Sequence, residues 1–198
     1  MSHPPANPDD AHLREETVSS QTVFQGKLLH VRSDRIRLPD GAQATREFIV
    51  HPGAVMVVPI LDDGRLVMER QWRYPLAQVM LEFPAGKLEA GEPTLQCAQR
   101  ELFEETGYRA REWALAGALH NAIAYSNERI EIWFARGLTA GERRLDEGEF
   151  LDLQLCSVDE LDRYCAAGEV TDAKTLVGLQ WLQNWRAGRW VIPGMMPA

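Results

Sequence analysis

A mixed α+β fold is predicted by three features of this sequence. Short alternating or apolar segments, punctuated by Gly, Pro and Asp, fill residues 21–86 and return at 112–138 and 150–157. Between them lies a stretch of helical periodicity, bounded by Pro93 and Gly107. Two further helical stretches follow the last strand. Strands on both sides of a central helix, with helices at the end, describe a layered domain with a mixed sheet.

The elements follow in order. Residues 1–20 begin "MSHPPANPDDAHLREE", polar and proline-rich, and read as a flexible arm; they lack the apolar core of a secretory leader. Residues 21–51 alternate through "QTVFQGKLLHVRSDRIRL", turn at "PDGAQ" and return as "TREFIVH", a hairpin about Asp40-Gly41 that forms a small β-subdomain. The main domain is placed at residues 52–190. There "AVMVVPIL" is continuously apolar, as in a strand buried on both faces. "DDG" turns it into the strand "RLVMERQWR", and "VMLEFPAG" is a short strand leading to glycine. "EWALAGALH", "ERIEIWFARGL" and "FLDLQLCS" are further strands. Ser157 or Asp159 caps a short helix, and "DAKTLVGLQWLQNWRAG" is a last helix ended by Gly188, with Trp181 and Trp185 four apart in the core.

Charge narrows the class. The 198 residues carry 29 acidic against 21 basic side chains, a net −8. That balance argues against a nucleic-acid partner, which needs a basic stripe. A phosphorylated small molecule stays open, because a metal ion can supply the positive charge. No apolar run approaches the roughly 20 residues of a membrane span. Cys97, Cys156 and Cys165 form no CxxC pair and suit unbridged thiols in a reducing cytoplasm.

The central helix concentrates acid. With Glu101 at zero, Glu105 lies about 40° to one side and Glu104 about 60° to the other, so the three share a face. Leu95, Ala98, Leu102 and Thr106 form the neighbouring core stripe. Arg100 stands four residues before Glu104 and can hold that carboxylate. Like charges so spaced cost a few tenths of a kcal/mol each. Either the face is merely solvated, or a hard divalent cation with oxygen ligands sits on it.

Spacing decides between these. Gly86, five residues, Glu92, seven residues, Arg100-Glu101-Leu102, one residue, Glu104-Glu105, one residue, Gly107-Tyr108 matches every fixed position of the Nudix box. The chain therefore resembles a Nudix hydrolase. That resemblance implies an α/β/α sandwich, Mg2+ or Mn2+ as cofactor, and cleavage of a nucleoside diphosphate joined to another moiety. "HPGAVMVVPI", "ERQWRYP", "EFPAGK", "DEGEFLDL" and "GEVTDAKTLVGL" look like the ADP-ribose pyrophosphatase branch, whose members pair as homodimers through an N-terminal β-subdomain.

Carried over by position, the resemblance implies metal ligands at Glu101, Glu105 and the Ala85 carbonyl, with Glu104 in direct or water-mediated contact. Glu92 would support the outer shell. Glu149, in "DEGEF", matches a glutamate delivered by a mobile loop and is expected to activate the water; Glu128 is the rival base. Arg100 completes the catalytic set, and Arg73, Arg46 and Lys87 are expected at the substrate. His51 and His120 read as structural or surface groups. Two departures stand out. "NAIAYSNER" lacks the Ser-Pro-Gly of many ADP-ribose hydrolases, and Arg46 stands where some relatives place a base-stacking tryptophan. ADP-ribose, cleaved to AMP and ribose 5-phosphate, is the expected substrate. The alternatives are GDP-mannose or another nucleotide sugar, and a non-catalytic ADP-ribose sensor, against which the intact box argues.

Overall fold

Strand-forming sequence on either side of Asp40-Gly41 pairs as expected. In the computed structural model, which describes residues 8–195, β2 (His30–Arg37) and β3 (Gln43–Ile49) are antiparallel, with Arg37 opposite Gln43. Gly41 takes φ +88° in the turn, and the Asp40 carboxylate accepts from the Ala42 amide at 2.9 Å. A third strand, β1 (Glu16–Gln25), pairs with β2 on its other side.

This corrects the expected arm. Residues 1–7 lie outside the described residues, but Pro8–Leu13 form a 3-10 turn and residues 16–20 belong to β1. β-Branched Thr17 and Val18 and a ladder to β2 outweigh the polar composition before them. The three strands belong to a first compact unit, which runs to His51 and includes 122–128. Its sheet is thinly covered. All ten residues of β1 are exposed, among them Val18, Val23 and Phe24, and Ile36 is its buried hydrophobic residue.

The second unit comprises 52–121 and 129 onward. Its mixed sheet has the order β7 (Ala85–Lys87), β4 (Ala54–Pro59), β9 (Ile130–Arg136), β8 (Glu112–Leu119), with β4 and β9 parallel. A second sheet sets β5 (Leu66–Arg73) between β10 (Leu151–Cys156) and β6 (Gln78–Glu82), all antiparallel. β4 is buried throughout, as its unbroken apolar run predicts. Val55 and Val57 pack with Cys97, Ala98 and Leu102 of α1 (Thr94–Thr106). Met56 and Val58 join the opposite core with Leu161 of α2 (Val158–Ala166) and Leu179, Leu182 and Trp185 of α3 (Ala173–Arg186). Helices on both faces of the β4 sheet make the α/β/α sandwich.

Local signals set the helix ends. Pro93 precedes α1 and Gly107 closes it at φ +75°, a conformation a Cβ would strain. Ser157, rather than Asp159, caps α2 in a reciprocal capping box with Glu160. No helix among the described residues is long and apolar enough to cross a membrane.

Candidate active site

α1 presents its acidic face as the periodicity predicts, but the face divides. Arg100 gathers most of it: Nε and Nη2 hold the two oxygens of Glu92 at 2.9 Å each, and Nη1 donates to Glu101 at 2.7 Å and Glu104 at 3.1 Å. Nη2 also donates to the Lys87 carbonyl at 3.2 Å. Lys87 thus serves this cluster through its main chain, while its side chain is exposed. The guanidinium pulls the Glu92 carboxyl down to about 2.

Glu101 and Glu105 face inward. Burial pushes the Glu101 carboxyl up to about 6, against the pull of Arg100. Glu105 is 5% exposed and accepts from the Ala85 amide at 3.1 Å, so β7 and α1 meet at the residue whose carbonyl is expected to bind metal. The approach is close: a Cβ on Gly86 would overlap the Glu101 carboxylate, so only glycine leaves that carboxylate its place.

β5 adds a carboxylate that motif reasoning missed. Its register with β6 sets Glu69 opposite Glu82, and alternation puts Gln71 and Arg73 on the same face. Glu69 is 2% exposed and in hydrogen-bonding contact with Glu105. Both carboxyls are held far above the ordinary range, first by burial; the charge of Glu69 raises Glu105 further, whereas Glu69 is raised by Glu82 and Glu149 and eased by its contact with Glu105. Glu69 Oε1 is buried with no hydrogen-bond partner. Arg73 grips Glu82 through both Nε and Nη2, at 2.6 and 2.8 Å, and Lys174 of α3 donates to the same carboxylate.

Glu149 joins this set from the loop before β10. Gln71 donates to it at 3.3 Å, and its charge helps raise Glu69, Glu101 and Glu105. The loop is laced to the end of α1: the Arg144 amide donates to the Glu104 carbonyl at 2.9 Å, and a Cβ on Gly107 would stand 2.5 Å from the Gly141 carbonyl. Arg143 Nη1 closes the loop's base on the Leu151 carbonyl at 3.0 Å.

Glu69, Ala85, Glu101, Glu104, Glu105, Glu149, Arg73, Lys87 and Arg100 therefore share the second unit. Arg46 and Glu128 belong to the first. Arg46 is forked on Glu15, with Nε at 3.0 Å from Oε2, and Glu128 lies 3.5 Å from the His51 ring.

The donor set suits a hard divalent cation: carboxylates and a carbonyl, partly buried, with an orphaned oxygen on Glu69. No three His, Cys, Asp or Glu side chains among the described residues already form a cage, and Arg100 engages Glu101 and Glu104.

Comparison with known proteins points to one family. A family model described as NUDIX domain matches residues 50–177, and one described as nucleoside diphosphate sugar hydrolase N-terminal domain matches residues 15–49. The chain is 36% identical over 173 residues to an ADP-ribose pyrophosphatase of Bacillus subtilis (strain 168), covering 86% of this chain and 94% of that protein. It is 38% identical over 175 residues to a methanol dehydrogenase activator of Bacillus methanolicus, with the same shares covered. A solved ADP compounds hydrolase superposes with a TM-score of 0.80 at 26% identity, over 90% of this chain and 98% of that one.

Proposed function

The chain belongs to the Nudix family, and from that premise we propose that it hydrolyses the diphosphate linkage of ADP-ribose, giving AMP and ribose 5-phosphate. The observation that carries this reading is similarity along nearly the whole chain, N-terminal part included, to a relative named for that activity. An electrostatic argument supports it. Buried carboxylates outnumber their cations around Glu69 and Glu105, beside an arginine suited to a diphosphate.

Glu101, Glu105 and the Ala85 carbonyl, with Glu104, would hold Mg2+ or Mn2+. Bound there, such a cation would supply charge neutralisation for the diphosphate and acidification of a water. Arg100 keeps Glu101 and Glu104 aimed while Glu92 anchors Arg100. Arg73 binds a diphosphate oxygen. Glu149 accepts the proton of the water that attacks phosphorus in line, and the adjacent P–O bond breaks toward the leaving phosphate. Arg46 and Lys87 are proposed to contact the substrate, and Glu128 is the alternative base.

The proposed assembly is a homodimer built on the first unit, whose β1 is exposed throughout and carries Val18, Val23 and Phe24. A cytoplasmic home suits its three free cysteines.

The test is Mg2+-dependent turnover of ADP-ribose, GDP-mannose, ADP-glucose, UDP-glucose, NADH and diadenosine polyphosphates. ADP-ribose is expected to give the highest kcat/KM; a tenfold preference for another compound removes the assignment. Glu149→Gln is expected to lower kcat by roughly 10²–10⁴, the usual worth of a general base, and leave metal binding intact. Loss of kcat in Glu128→Gln alone would move the base to the first unit. Light scattering at micromolar concentration should report a dimer that deletion of residues 1–50 abolishes.

A further inference from the structure

Glu82 carries more counter-charge than one buried carboxylate needs. Its side chain is 3% exposed, yet it receives a forked Arg73 and, on Oε2, the Lys174 ammonium as well. Lys174 divides its charge, lying 3.0 Å from Asp172 Oδ2. Asp172 caps α3, accepting the Thr175 amide at 3.0 Å and the Thr175 hydroxyl at 2.7 Å. The same hydroxyl accepts from the Phe83 amide at 3.1 Å. Because Phe83 follows Glu82 in the chain, these bonds close a ring through Glu82, Lys174, Asp172, Thr175 and Phe83. The ring fastens the start of α3 to the segment leading to Ala85.

Charge gives the ring a second consequence. Glu82 also faces Glu69 across the strand pair, so the neighbourhood stays acidic even with two cations present. Without Lys174, Arg73 would be the one counter-charge of a carboxylate removed from water, and less of its charge would be left for a second anion. With Lys174 sharing Oε2, the guanidinium stays forked through Nε and Nη2, and Nη1 is left for another oxygen.

We propose that Lys174 is a positioning residue for Arg73: shared through Glu82, it fixes the guanidinium in the orientation that receives a diphosphate oxygen. This rests on the reading of Arg73 as the diphosphate-binding arginine. It adds a residue 92 positions from Glu82, inside the segment "GEVTDAKTLVGL", to which the sequence reading gave no role.

The experiment is calorimetric binding of methylenediphosphonate, a bare non-hydrolysable diphosphate, at fixed Mg2+. Lys174→Met should weaken binding roughly tenfold, the scale of one charge-assisted hydrogen bond, and Lys174→Arg should recover most of it. The double variant Arg73→Met with Lys174→Met should bind no more weakly than Arg73→Met alone. Thr175→Val opens the ring on its other side, so it should lower the melting temperature and leave affinity near wild type. Additive losses, or wild-type affinity in Lys174→Met, would overturn the proposal and leave the ring a fastening only. If Lys174→Met does not fold, Lys174→Gln serves the same cycle. The outcomes separate the two readings. A wild type that binds the probe but does not cleave ADP-ribose sinks the substrate and spares the clamp. Unchanged affinity in Arg73→Met sinks the clamp and spares the hydrolysis.

Discussion

Glu92, Glu101 and Glu104 gather around the Arg100 guanidinium, whereas Glu105, on the same helix, turns into the protein beside Glu69 with no ion pair to either among the described residues. The first group shares one guanidinium, which offsets part of its charge and holds its carboxylates in place. The second is short of a cation and stable only with a proton or a bound ion. One acidic helix thus carries both a scaffold and a vacancy of charge, and side-chain direction alone separates them.

Substitutions can break or sharpen that contrast. The largest effect should come from the cation-poor side. Glu105→Gln is expected to lower kcat by roughly 10³ or more and weaken Mn2+ binding, while folding persists; steady-state kinetics with metal titration check this. Wild-type activity should likewise vanish in EDTA and return with Mg2+. Next is the scaffold itself. Arg100→Met strands three carboxylates and should cost about 2 kcal/mol of stability, read from the denaturant midpoint at constant slope. The opposite sign is expected for Glu69→Gln in EDTA, a gain of about 1 kcal/mol. Glu69 is raised above its unfolded value, so it penalises the fold more as pH climbs past the ordinary carboxylate range. The gain should therefore be larger at pH 8 than at pH 5; a loss at both would show the pair is not under strain.

The smallest effect is also a matter of sign. Glu92 is depressed to about 2, so its contribution is present above its unfolded value near 4.5 and is lost as pH falls toward 2. The melting-temperature gap between wild type and Glu92→Gln should hold from pH 7 to 5, narrow from there to pH 3, and close only below about pH 2.

These contrasts also mark how far the sequence could be read. Helical periodicity alone put Glu101, Glu104 and Glu105 on one face, and Gly107 ended the helix where expected, because both are local properties. The buried stripe was read with less fidelity: Leu95 is half-buried and Glu105 itself joins Cys97, Ala98, Leu102 and Thr106 inside. Glu69 was out of reach. In "VMERQ" it looks like any polar strand residue, and its burial follows from register with Glu82 and the approach of α1. The Lys174–Glu82 and Arg46–Glu15 pairs span 92 and 31 residues, and no local pattern encodes such distances. The strand at residues 16–20 was hidden by the polar, proline-rich composition ahead of it and revealed by its pairing with β2.

The lacing of the Glu149 loop has a mechanical meaning. One end is pinned where the Arg144 amide meets the Glu104 carbonyl, the other where β10 begins, and Arg143 ties the two together at Leu151. Glu149 therefore sits on a short hoop with a fixed base rather than on a free strap. Gly148, at φ +85°, makes the bend of that hoop. A chain inserted at Glu147-Gly148 would lengthen the arm without loosening its base, so the loop's length sets how firmly the carboxylate is held against Gln71.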